Sequence, residues 1–244
     1  MLHRFGIAFL LLATTTAAVF GQTPAAPKAD EFAYDGNKLK ITFLGHASLV
    51  LDWNGTVVYV DPVTQYGPFS GLPKADLVLV THEHGDHFDP GAIAAVSKEG
   101  TLFIANPAVI GQLKKGTALA NGQSWEGLGM KIDAVPAYNT TPGRTGFHPK
   151  GRDNGYVLTL GKKRVYIAGD TEDIPEMAAL KNIDIAFLPM DQPYTMTPAQ
   201  GVKAALMFKP KILYPYHLRD TNLNAIKDAF KDVKGIELRI RDLQ

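Results

Sequence analysis

The segment Thr81-His82-Glu83-His84-Gly85-Asp86-His87 constrains this chain more than any other. It follows without a spacer on Asp76-Leu77-Val78-Leu79-Val80, an almost continuous apolar run of strand length. Neither alternate set of side chains in that run is polar, so it reads as a strand covered on both faces. The carboxyl end of such a strand delivers its side chains to a rigid place. Here it delivers three of the chain's seven histidines and one aspartate. Imidazole and carboxylate together suit a borderline cation such as zinc. The helical H-E-x-x-H motif is not met, because Asp86 stands where its second histidine belongs. Gly85 predicts a turn, so the ligands fan out from a loop. The plainer reading is a solvated polar loop, or histidines used as caps.

The rest of the body alternates strand and helix signals. Leu39–Leu44 and Ala47–Trp53 are β-rich, Asn54-Gly55 signals a hairpin turn, and Thr56–Val60 is the return strand. Pro90–Ser97 predicts a helix, with Asp89 as its cap and Pro90 in its first turn. Thr101–Ala105 reads as strand and Pro107–Lys115 as helix. Met130–Ala137, Tyr156–Leu160, Arg164–Ala168 and Asp184–Leu188 read as strands, with a helix expected over Ile174–Leu180. Helices over Pro198–Phe208 and Leu223–Phe230 alternate with strands Lys211–Tyr216 and Ile236–Arg239. Hairpins first and strand–helix units later predict mixed sheets covered by helices.

Composition removes several functions. The chain of 244 residues has no cysteine, so a zinc finger, an iron–sulfur cluster and a thiol nucleophile are all excluded. Any metal must sit on histidines and carboxylates. The formal charge of +1 leaves no electrostatic footprint for nucleic acid. Residues 1–21 carry one base, Arg4, then the apolar run Ile7–Ala13 and small residues up to Gly21. That is the order of a secretory signal peptide, with cleavage expected near Gly21–Gln22, and the run is too short to span a bilayer. The expectation is therefore an exported protein, periplasmic or secreted. Residues 22–37 begin Pro/Ala-rich and polar and read as a flexible lead-in, and 38–244 as the folded domain.

H-x-H-x-D-H after a buried strand resembles the hallmark of the metallo-β-lactamase-fold hydrolases. Ile41-Thr42-Phe43-Leu44-Gly45-His46-Ala47-Ser48 is similar to the opening strand of the branch that contains ascorbate-phosphate lactonases and N-acylphosphatidylethanolamine phospholipase D. Asp61-Pro62 is similar to that branch's following strand end. Ala168-Gly169-Asp170-Thr171 resembles the G-D-T segment that carries a bridging carboxylate, and Tyr216-His217 a late strand-end histidine. The resemblance covers about residues 38–220. It implies an α+β fold, a four-layer αββα sandwich of two mixed sheets. It further implies His82 and His84 in a first metal site, Asp86, His87 and His217 in a second, and Asp170 as the bridge. Read from the residues alone, Asp170 is also a candidate helix cap, and His217 a structural strand-end histidine.

One position departs from the family. Where a third histidine is expected for the first site, the chain reads Val135-Pro136-Ala137-Tyr138-Asn139. Phe147-His148-Pro149-Lys150 comes nine residues later, an arrangement similar to a sub-branch of the superfamily. Either His148 loops back to complete the site, or Asn139 stands there as a weak oxygen ligand or as an outer partner. Imidazole is the better zinc ligand, which favours His148. His46 reads equally as a substrate or ligand partner and as a buried strand-end histidine. Asp61 reads as a carboxylate that orients a ligand, or as a turn-forming Asp-Pro. Tyr138, Arg144, Lys150 and Tyr194 are candidates to bind an anionic or acyl group, or are plain loop residues. Glu83 is expected to point away from the metals.

These readings predict a metal-dependent hydrolase with two Zn2+ per chain, although manganese or iron suits the same donors. Hydroxide would attack an ester, lactone, amide or phosphodiester of a small-molecule or lipid-like substrate, with Asp86 or Asp170 orienting it and taking protons. The rival readings are a nuclease of the same superfamily and a non-catalytic metal-binding protein on the same fold.

Overall fold

The computed structural model describes residues 27–67, 69–241 and 243. Its first sheet runs in sequence order through β1 (Ala29–Tyr34), β2 (Asn37–Gly45), β3 (Ser48–Trp53), β4 (Thr56–Val60), β5 (Ala75–Val80), β6 (Ser97–Ala105) and β7 (Thr117–Ala118). The second runs through β8 (Ser124–Gly127), β9 (Met130–Ala137), β10 (Asp153–Leu160), β11 (Lys163–Ile167), β12 (Ile185–Pro189), β13 (Ile212–Tyr216) and β14 (Glu237–Leu238). Each sheet begins as an antiparallel meander of four strands and ends with three strands added in parallel. Antiparallel neighbours can be joined directly by a turn or loop, whereas parallel ones need crossovers. The crossovers hold α1 (Pro90–Val96), α2 (Pro107–Leu113), α3 (Pro198–Phe208) and α4 (Leu223–Phe230).

Side-chain alternation along the strands makes the layers. Leu77 and Leu79 of β5 join Ile132, Leu158, Val165, Ile167 and Phe187 in the core between the sheets. Val78 and Val80 face the other way, onto Ile93, Val96 and Val109 of α1 and α2. Tyr166, Ala186 and Leu213 likewise meet Ala204, Phe208, Ile226 and Phe230 of α3 and α4. The result is the expected αββα sandwich. Burying each of the Val, Leu, Ile and Phe side chains among them stabilises it by about 1.5–3 kcal/mol, which makes the two sheets a stiff frame for whatever sits at their ends.

Local signals act as read. Asn54 and Gly55 turn the β3–β4 hairpin with φ of 52° and 87°. Asp89 caps α1 by accepting from the Gly91 and Ala92 amides, and Thr197 and Gln200 form a reciprocal capping box on α3.

Three expectations need correction. The lead-in does not extend to residue 37, because Ala29–Tyr34 pairs with Asn37–Thr42 as an antiparallel edge strand. Asp30 of that strand is held by Arg241, Arg239 and Tyr214, which ties it to the second sheet. Ile174–Leu180 is not an α-helix but a 3-10 turn over Pro175–Ala179, followed by β12. The strand after α1 starts at Ser97 rather than Thr101. The expected signal segment 1–21 lies outside the described residues. Among the described residues no helix is long and apolar enough to cross a membrane.

Candidate metal centre

Six strand ends converge where the carboxyl ends of the two sheets meet. His46 follows β2, Asp61 follows β4, and Thr81 with the histidine cluster follows β5. From the second sheet, Asp170 follows β11, Asp191 follows β12 and His217 follows β13. Four non-glycine residues here have left-handed backbone: His46 (φ 50°), Asp61 (43°), His217 (50°) and Arg219 (40°). Such conformations cost energy and persist where the surroundings hold them, which is typical of functional sites. Gly169 (φ 65°) is required by space as well, since a Cβ there would lie 2.5 Å from the Asn154 carbonyl oxygen.

Asp170 is the hub. Its carboxylate is buried and lies 3.3 Å from His87 Nε2, 3.3 Å from His148 Nε2, 3.2 Å from His217 Nε2 and 4.0 Å from His82 Nε2. Burial alone would raise its pKa, but the imidazoles of His217, His87 and His148 hold it well below the usual carboxylate range. The possible ligand atoms fall into three groups, each within 4.8 Å: His82, His84 and His148; His46, Asp86, His87 and His217; and His82, His87 and Asp170. The first two gather the residues expected for the two sites, with His46 beside the second. The third places Asp170 between them.

The other face of each imidazole shows why these nitrogens point inward. Thr81 Oγ1 donates to Asp61 Oδ2 at 2.7 Å, so it accepts from His82 Nδ1 at 3.0 Å. His87 Nδ1 donates to the same Asp61 oxygen at 2.8 Å. His148 Nδ1 donates to Asn139 Oδ1 at 3.3 Å, and the Asn139 amide donates to the Tyr194 carbonyl at 2.7 Å. His217 Nδ1 lies 3.6 Å from Asp191 Oδ2. A proton on Nδ1 leaves Nε2 as a bare lone pair, the tautomer a metal needs. Asp61 thus faces Thr81 and His87 and is placed to orient both. Asn139 faces His148 Nδ1 and the Tyr194 carbonyl, while His148 Nε2 faces Asp170.

The Nε2 atoms of His82, His87, His148 and His217, with Asp170 Oδ1, are buried and make no hydrogen bond among the described residues. Leaving one buried polar atom unpaired costs about 1–3 kcal/mol. Five around one point are atoms that a bound cation would satisfy, so the residues fit a metal of the kind their chemistry implies. Burial lowers His82, assisted by neighbouring His87. Burial opposes protonation of His87 too, but Asp170 and Asp61 raise it well above the ordinary histidine value. His46 is lowered to about 4, chiefly by burial.

Asp86 lies at the mouth. Its Oδ2 is 3.3 Å from His46 Nε2, 3.6 Å from His217 Nε2 and 2.8 Å from Arg219 Nη2. Burial would raise its pKa, but the imidazoles of His217, His46 and His87 outweigh it and keep Asp86 ionised far below the normal range. A cleft of about 210 Å³ opens over it, lined by His84, Asp86, Phe147, His148, Asp170, Tyr194, His217 and Arg219. Of the loop residues considered from the sequence, only Tyr194 reaches this cleft. Tyr138 and Lys150 bond each other and Glu176 instead, and Arg144 bonds Gln192. Glu83 pairs with Arg152 at 3.2 Å. Thr81, Asp191 and Arg219 were not singled out from the sequence. Asp191 carries the same strand-end signal that marked Asp170, whereas a single arginine in a loop carries none.

Replacing Asp61 by asparagine is expected to keep the shape of the site but present an N–H to His87 Nδ1. His87 must then move its proton to Nε2, which faces the metals. Metal affinity should fall by about 10–100-fold, the range for an outer partner. A chelator-competition titration that matches wild type would remove this role from Asp61.

A family model described as a beta-lactamase superfamily domain matches residues 40–217. The chain belongs to the metallo-β-lactamase superfamily of metal-dependent hydrolases. A UPF0173 metal-dependent hydrolase of Thermus thermophilus is 32% identical over 189 residues, covering 73% of this chain and 83% of the relative. A crystal structure of a protein of Parabacteroides distasonis, assigned as a metal-dependent hydrolase, shares 57% identity with a TM-score of 0.87 over 89% of this chain and 100% of that one. Igni18, a metallo hydrolase of Ignicoccus hospitalis, shares the fold at 22% identity, with a TM-score of 0.70 over 84% of this chain and 95% of its own.

Proposed function

We propose that this superfamily member is an exported dizinc hydrolase of small esters, lactones or phosphodiesters. The observation that carries the two-metal reading is the pair of ligand groups joined through Asp170, with unpaired nitrogens on both sides of it. Metal ions held by these residues would supply Lewis-acid activation of water and a counter-charge for the oxygen of the scissile bond. His82, His84 and His148 would hold one ion, and His87, His217 and Asp86 the other, with Asp170 shared.

The chain's own groups do the rest. Asp86 Oδ2, ionised and at the cleft, is placed to accept a hydrogen bond from the attacking water and so orient it toward the scissile bond. Arg219 and His46 hold that oxygen in place from two sides. The rings of Phe147 and Tyr194, 5.0 Å apart and edge to face, wall the cleft and keep bulk water off one side. No serine nucleophile is required. The lactone and phosphodiester classes rest on the sequence resemblance, and export rests on residues 1–21.

The test is a turnover screen of the matured protein, whose first residue is expected near Gln22 by N-terminal sequencing. Metal-loaded enzyme should cleave at least one lactone, ester or phosphodiester and lose that activity to a chelator. Activity that survives complete metal removal would refute the reading.

A further inference from the structure

The loop 138–152 between β9 and β10 has to bring His148 back to the site from nine residues beyond Asn139, and one buried side chain explains how it does so. Glu172 is fully buried, two residues past Asp170. Its Oε2 accepts from the Thr140 amide at 2.7 Å, the Thr141 amide at 2.6 Å and the Thr140 hydroxyl at 3.0 Å. Its own amide donates to the Tyr138 carbonyl at 3.0 Å, and Thr171 Oγ1 bonds the Tyr138 backbone beside it. Segment 170–172 therefore grips the first residues of the loop.

The grip is passed on to His148. Asn139 adjoins Thr140, and it bonds His148 twice: its amide donates to the His148 carbonyl at 2.9 Å, and its Oδ1 accepts from His148 Nδ1. His148 Nε2 then faces Asp170 at 3.3 Å. The contacts close a ring, from Asp170 through Glu172, Thr140 and Asn139 to His148 and back to Asp170. A two-carbon stem is needed to span from the 170–172 backbone to both loop amides, which fits glutamate at this position. The far end of the loop is tied as well, by Arg152 Nη2 donating to the Phe147 carbonyl at 3.0 Å.

We propose that Glu172 is a positioning residue: it fastens the start of loop 138–152 to the Asp170 segment and thereby sets His148 at the first metal site. The proposal rests on His148 being a ligand there. It also assigns no function to the charge of Glu172, only reach and an acceptor oxygen. Glutamine keeps both. Aspartate keeps the charge but draws the carboxylate back by about 1.5 Å, one carbon–carbon bond, beyond reach of the two amides.

The variants Glu172→Gln, Glu172→Asp and Glu172→Ala separate these terms. Zinc titrations against a competing chelator should show two ions bound to wild type and Glu172→Gln. Glu172→Asp and Glu172→Ala should hold one ion as wild type does and the other about 10–100-fold more weakly. In metal-free protein, nitrogen–proton correlation spectra of the imidazoles should show His148 protonated on Nδ1 in wild type and Glu172→Gln but not in Glu172→Asp. If alanine prevents folding, the aspartate and glutamine variants decide. Equal weakening of both ions with a drop in Tm, or wild-type affinities in Glu172→Asp, would overturn the proposal. A wild type that binds no zinc defeats the metal reading, and the His148 tautomer in Glu172→Asp then decides this one.

Discussion

Asp170→Ala is expected to abolish turnover and to release at least one metal ion per chain. Every histidine that faces the centre lies within 4.0 Å of this carboxylate, except His84 and His46, which sit on its two sides. Its removal deletes a ligand from both sites and the negative charge between two cations. At 4 Å, two unit charges interact by about 4 kcal/mol at an effective dielectric of 20, and divalent ions by more. The loss should therefore exceed the roughly 100-fold ceiling for an outer partner. Elemental analysis and kcat/KM on the same preparation check it. A variant that keeps both metals and full turnover would make Asp170 a structural carboxylate and end the two-site assignment.

His148→Ala and Asn139→Ala form the second pair. His148 supplies an unpaired Nε2 to the centre, whereas Asn139 touches only its other nitrogen and backbone. His148→Ala should lower the affinity for one of two metals by more than about 100-fold. Asn139→Ala should cost about 10–100-fold, through loss of tautomer and loop support. The order of the two effects is the test, read by chelator competition. If Asn139→Ala is the more damaging for metal binding, Asn139 holds the ion and His148 does not.

The sandwich was legible because both faces of its central strands are covered. Runs such as Asp76–Val80 then announce themselves, and the carboxyl ends of these strands can be placed to within a residue. Strand β1 was not, because Phe32 alone is buried and Asp30 and Tyr34 only partly so, in a polar stretch after a Pro/Ala-rich segment. An edge strand exposes most of its side chains, so its periodicity is weak. The two-residue β7 and the short β8 escaped for the same reason. Pro175 and the short span to β12 left room for a 3-10 turn only.

The candidate ligands that the structure brings together were legible because they are either contiguous or follow closely on strand ends. His148 was not fixed by spacing, since a loop closes through side-chain bonds that no period encodes. The same holds for Arg219 and Asp191, which act through each other at 2.9 Å and through Asp86 and His217. Thr81 was hidden by its ordinariness: a hydroxyl next to a histidine carries no signal until its O–H is seen to donate to Asp61.

The central claim is a two-metal centre sharing Asp170, and metal stoichiometry tests it most directly. Protein purified gently, without chelator or immobilised metal, should carry close to two transition-metal ions per chain by elemental analysis. Zinc is expected from the imidazole-rich donor set, and manganese or iron in its place would change the ion without changing the site. No transition metal above background, in protein that also fails to take up zinc on titration, would contradict the account.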